Sequence, residues 1–384
     1  MNGIIRSTNF EEVYDAVRSG DIALEDVEAR FVDFKTSFQQ GTLNMEFNDR
    51  NKDKRACWLT LSDSERQQVM EGCSFPAFVD PIERWIAYSL QPKFALMRNG
   101  ALRNHYAIDC DGSKSAEMVP AAINALYQSR TLWPDDLPAD SSDTMNSFWT
   151  TYKRILTFMG AAKWQSRAKR DIFAEMTDKD GHLRPEFHAG KDDEQRRVEQ
   201  LLRMFAHLTH TIGNFIPCDG PFNSGRYAAT FDYWDIALEY VRDWYLNRQE
   251  AGLSPDAPDT SFNAKTLAAC REWLGSFGKG VEGWNTFVKR NFLDAYMKTE
   301  PAKAVGAHDL VKDGQGAYVV RPFFPGHGFH HVLPQDDAEC HICLMHMIAS
   351  IITRGNQMLN ELRDDPCAKL FANECARSSV LGIS

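Results

Sequence analysis

The chain has 384 residues, 43% of them hydrophobic and 25% charged, with a formal net charge of −10. Such a composition can bury a substantial core and excludes disordered, collagen-like and small disulfide-scaffold classes. The acidic balance argues against a protein that coats DNA or membrane over its whole surface, although a local basic groove stays open to it.

The first third reads as mixed. Thr8 and Glu11 form a capping-box pattern that opens a helix ending near Gly20, and a second helix is expected from about Ala23 to Phe38. Ser62 to Glu71 reads as a short helix stopped by Gly72. Asp80-Pro81 pairs an N-cap with proline at the first helical position, opening IERWIAYSL. Asn99-Gly100 lies between two apolar runs, a two-residue hairpin signal. A further helix is expected over about Glu117 to Gln128. The proline- and aspartate-rich stretch Trp133 to Asp143 gives the division: a mixed helix-and-hairpin region over 1–137 and a helical region over 143–384.

Beyond that boundary, helices are expected at about 144–159, 192–212, 231–248, 263–277, 281–297 and 336–363, with one strand within Ala317–Phe324. The predicted class is mainly α: a multi-helix, bundle-like protein with a mixed α/β N-terminal region containing a β-hairpin. The sequence opens without a charged-then-apolar leader pattern, and the apolar segment Leu344–Ile352 is too short to span a bilayer. Nine scattered cysteines, an odd number, suit reduced thiols, so a cytoplasmic protein without membrane partners is expected.

The richest polar constellation follows the helix at 192–212. One face carries Val198, Leu201, Leu202, Phe205, Leu208 and Ile212; Arg196, Arg203, His207 and His210 gather roughly opposite. The helix runs into HTIGNFIPCDGPFNSGRY, where Gly213, Pro217, Gly220 and Pro221 restrict the backbone to a tight loop bearing Asn214, Asn223 and Arg226. Rigidly held polar groups of this kind suit a catalytic or binding site. They equally suit a structural loop, with His210 capping the helix and the asparagines bonding nearby backbone.

HTIGN followed by FNSGR resembles the HTxGNxT…N element of HNH-type endonucleases found in modification-dependent restriction enzymes; the match covers residues 210–226. That resemblance implies a divalent metal and a catalytic set of His210, Asn223 and an upstream histidine. The nearest is His182, within Asp180-Gly181-His182-Leu183-Arg184-Pro185, where a glycine separates acid and imidazole. The wider pattern DTMNSFWTTYKR, HTIGNF and IITRGNQML is similar to an uncharacterised bacterial and prophage-associated family.

Other constellations compete. Arg203 and His210 meet the Arg-x6-His spacing of HEPN-type RNases, in which histidine activates a 2′-OH and arginine stabilises developing charge. Cys340, Cys343 and His346 could hold zinc; they also read as buried residues of one apolar helix face. From Lys153 to Arg170 there are six basic residues and no acidic one, with aromatics interleaved. Lys153, Arg154, Lys163 and Arg167 would grip a phosphate backbone or form a solvated helix face. Asn214 and Arg226 complete the candidate binding set. The expected function is a non-catalytic interaction or binding protein, with nucleic acid or another protein as partner. The alternatives are a metal-dependent HNH-like nuclease and a metal-independent HEPN-like RNase.

Overall fold

The first helix, α1 (Phe10–Ser19), starts at Asn9, whose side chain accepts a hydrogen bond from the Glu11 amide. Gly20 ends it in the left-handed region at φ 81°, where a side chain would be strained. The cap is therefore one residue beyond the predicted Thr8. Asn9 takes that place because its own amide is held by the Ser7 hydroxyl, which in turn donates to Glu12. The computed structural model describes residues 3–31, 80–90, 97–98, 101–102, 141–148, 176–179, 182–184, 193–222, 233–246, 266–304, 306–329 and 337–362.

A second helix, α2 (Leu24–Arg30), follows. Then α3 (Pro81–Leu90) begins as the sequence predicts: Asp80 Oδ1 accepts from the Ile82 and Glu83 amides at 2.8 and 3.2 Å. Strands β1 (Met97–Arg98) and β2 (Ala101–Leu102) pair antiparallel, Arg98 opposite Ala101, in the register a turn at 99–100 requires. The helices expected at 62–71 and 117–128 lie outside the described residues.

Two strand pairs were not expected. Strand β3 (Ser141–Thr144) pairs antiparallel with β4 (Phe215–Cys218). The end of the presumed linker is thus ordered against the central motif. FIPC looks like loop because it contains proline, but Pro217 lies in a two-stranded ribbon, where its missing N–H is tolerated. Before β4 comes α4 (Asp193–Leu208) and a 3-10 turn, Ile212–Asn214. After it come α5 (Trp234–Tyr245), two short helices α6 (Leu267–Ala269) and α7 (Arg271–Gly275), α8 (Gly280–Arg290) and a 3-10 turn Leu293–Tyr296. The second unexpected pair is β5 (Thr299–Pro301) with β6 (His308–Leu310). The segment Ala317–Phe324 contributes isolated bridges instead of the predicted strand. The last helix is α9 (Asp337–Leu362).

Helix clearly outweighs strand among the described residues, so the protein is mainly α. Among these residues no helix is long and apolar enough to cross a membrane. Helix α9 is central: it packs against α1, α4 and the 3-10 turns Ile4–Arg6, Ile212–Asn214 and Leu293–Tyr296, while α4 also packs on α2 and α3. Buried apolar side chains from Ile5 to Met358 form one cluster, so the first helices share a core with the last. Trp85 of α3, Phe148 and Phe205 of α4 pack in sequence as tilted rings, at 4.7 and 5.7 Å between centroids. Trp234, Ala237, Leu238, Val241 and Tyr245 are buried as their helical spacing predicts.

Candidate functional site

The HTIGN segment is built as a structural junction. At the C-terminus of α4 the Thr209 and Thr211 hydroxyls donate to Phe205 O and Leu208 O at 2.8 Å each, adding to the bonds those carbonyls accept from the Thr209 and Thr211 amides. Gly213 lies directly on α9: a Cβ there would stand 2.1 Å from Ile351 O and 3.0 Å from Gly355 N. Gly355 is confined in turn, since a Cβ on it would meet the Phe31 ring at 2.5 Å.

Asn214 is fully buried and interlocks with Asn146. Its Oδ1 accepts from the Asn146 amide and from Asn146 Nδ2, at 2.9 and 3.1 Å. Its Nδ2 donates to Asn146 O and Thr209 O, both at 2.9 Å. Asn146 Nδ2 also donates to the Tyr296 hydroxyl, and burial pushes that phenol up to about 12. Arg354 of α9, wholly buried, closes the junction. Its Nε donates to Asn291 O, and its Nη1 to Gly213 O and Phe215 O at 2.9 and 2.7 Å. Asn356 Nδ2 then donates to Ile5 O and Ser7 O.

The other sequence candidates separate. His210 is buried at the junction. His182 is exposed, and its Nδ1 donates to Glu83 Oε2 at 3.2 Å near the start of α3. Arg203 Nε and Nη2 contact Asp80 and Glu199, both at 2.5 Å. Burial pulls the Arg203 pKa down, but the two carboxylates outweigh it and the value lies above the ordinary one. Thus Asp80 and Glu83 bring His182 and Arg203 to one end of α3, while His210 lies beyond the end of α4. Only the N-terminal part of the polar face predicted for α4 meets solvent, at Arg196; His207 is buried and donates to Phe31 O at 3.0 Å. The α2 segment covers it, which no periodicity within α4 could reveal. Asn223, Arg226, Lys153, Arg154, Lys163 and Arg167 lie outside the described residues.

The zinc candidates also serve packing. Cys343 is buried, and the His346 ring lies among Phe10, Tyr14 and Phe323 at centroid distances of 5.8, 4.8 and 6.3 Å. Burial, aided by the Arg321 charge, pushes the His346 imidazole down to about 3. Among the described residues no three His, Cys, Asp or Glu side chains gather as a metal site needs; the Cys340 side chain is not among them.

A different place has the marks of a binding site. A cleft of about 610 Å³ opens between the start of α1, the end of α8, the β5–β6 hairpin and the middle of α9. Asp294, Thr353 and Gln357 line it, and each carries a buried oxygen with no hydrogen-bond partner: Oδ1, Oγ1 and Oε1. Thr353 is only 1% exposed. Lys289 and Lys312 stand at 5.2 and 5.1 Å from the Tyr318 ring centroid, and Lys289 Nζ also reaches Asp294 Oδ2 at 2.8 Å. Buried polar atoms are normally paired, and an unpaired one costs about 1–3 kcal/mol. Three such atoms belong to residues that line this one cleft. The sequence signal was slight: Thr353 and Gln357 are i, i+4 neighbours within IITRGNQML. Comparison of the chain with protein-family models, curated proteins and solved structures found no match.

Proposed function

We propose that this is a non-catalytic binding protein whose ligand occupies the cleft beside the β5–β6 hairpin, with the HTIGN junction holding the cleft's walls in place. The observation that carries this reading is the set of three unpaired oxygens on Asp294, Thr353 and Gln357. The junction supports it indirectly: Asn214, a candidate binding residue of the HTIGN element, spends both side-chain polar atoms on internal bonds. An acidic chain with scattered cysteines fits a cytoplasmic setting for such a protein.

The test uses stability and activity together. Thr353→Val and Gln357→Met remove two of the unpaired oxygens at nearly constant volume. If those atoms await a ligand, the double variant melts at or above the wild-type temperature without ligand, because an unsatisfied group has been removed. A clear fall in melting temperature would show that the atoms serve the fold and would sink the proposal. In parallel, single- and double-stranded DNA and RNA with Mg²⁺ or Mn²⁺ stay intact. Cleavage that His210→Ala abolishes at unchanged melting temperature would replace the proposal with the nuclease reading.

A further inference from the structure

Resting on that reading of the cleft, we infer that its ligand is a zwitterionic α-amino acid, with the ammonium held by Asp294, Thr353 and Gln357 and the carboxylate by Lys312. The unpaired atoms are all oxygens able to accept, so the ligand must bring donors. They comprise a carboxylate oxygen, a hydroxyl and an amide carbonyl. A primary ammonium offers three N–H donors and one positive charge, which matches that set in number and sign. A sugar hydroxyl offers one donor and would meet one of the three oxygens.

The placement of the groups agrees. Thr353 and Gln357 lie one turn apart on α9, so their side chains face the same way. Asp294 comes from the 3-10 turn that packs against α9. Asp294 Oδ2 is occupied by Lys289, which leaves Oδ1 for the ligand and fixes the carboxylate's orientation. A second cation, Lys312, stands beside the Tyr318 ring and is the group available to an anion. With Asp309 also lining the cleft, two lysines and two aspartates cancel. A site of balanced charge favours a ligand without net charge, since a net anion or cation would bury charge without compensation. The volume, about 610 Å³, lies in the range of small-molecule sites and leaves room for a large side chain beside the Tyr318 ring.

The experiment is calorimetric titration of the full chain with each of the twenty common L-amino acids, then with two analogues of the best binder. One analogue lacks the amine and keeps the carboxylate; the other lacks the carboxylate and keeps the amine. We expect at least one amino acid to bind and both analogues to bind at least tenfold more weakly. Asp294→Asn should weaken the amino acid at least tenfold at unchanged melting temperature. Lys312→Gln should weaken the amino acid but not the plain amine. If the deaminated analogue binds as tightly as its parent, the ammonium assignment falls while the cleft stands as a binding site. If no amino acid binds, this ligand class is overturned, and the Thr353→Val, Gln357→Met double variant separately reports whether the cleft is kept for a ligand at all.

Discussion

The HTIGN junction and the cleft lie on two sides of α9, and they differ in how their polar atoms pair: most at the junction are bonded, with Asn146 Oδ1 and Asn291 Oδ1 as exceptions. At the junction Asn214, Asn146, Thr209, Thr211 and Arg354 bond to backbone or to one another inside the core. In the cleft, Asp294, Thr353 and Gln357 each keep an oxygen unpaired. Both regions depend on polar residues of the same two turns of α9, Thr353 to Gln357. Arg354 and Asn356 turn toward the junction and the N-terminus, Thr353 and Gln357 toward the cleft. A polar group that is fully bonded within the core specifies shape; one left unbonded costs stability that only another role repays.

The sharpest way to break the comparison is Gly213→Ala. The new Cβ would meet the Ile351 carbonyl, which belongs to helix backbone and cannot swing aside. The variant should lose more than about 3 kcal/mol in urea denaturation. A loss under about 1 kcal/mol would mean that α9 does not rest on the 3-10 turn. Asn214→Ala comes next. It strips partners from the Asn146 amide and the Asn146 and Thr209 carbonyls in a dry interior, for an expected loss of about 2–3 kcal/mol.

The acid limb of stability gives an intermediate effect. His346 titrates near 6.5 when unfolded and near 3 in the fold, so between those values only the unfolded chain takes the proton. Stability from this residue is complete above about pH 6.5 and declines as pH falls toward 3. Between pH 7 and pH 5 the decline should be about 2 kcal/mol. Tyr14 and Arg321, which face the ring, do not titrate in that window: burial raises the phenol above its usual value and lowers the guanidinium only to about 10. His346→Phe should flatten this part of the profile. An unchanged acid limb in that variant would show that the imidazole is accessible to protons.

The smallest effect carries the opposite sign. Thr353→Val alone should raise stability by up to about 1 kcal/mol, since the hydroxyl oxygen it removes is unsatisfied. A melting curve shifted downward would place Thr353 with the junction residues and erase the contrast.

The sequence by itself determined the local elements. Asp80-Pro81 starts a helix because a side-chain oxygen and a preset φ act within one turn, and the Asn99-Gly100 hairpin register follows from the same short-range logic. Apolar spacing identified the buried faces of α4 and α5, and the mainly helical class followed. The sequence also marked 210–214 as exceptional, because a glycine and an asparagine at a helix end signal a constrained backbone. Only the tertiary structure decided what those letters do. The partners of Asn214 lie 68 residues away at Asn146, and Gly213 is required by a helix more than 130 residues later. The cleft was least visible, since its oxygens come from residues 294, 353 and 357, and what distinguishes them is the bonds they lack. A periodicity reports which side of an element is buried; it carries no record of which buried polar atom found a partner, because that depends on chain segments distant in sequence and adjacent only in the fold.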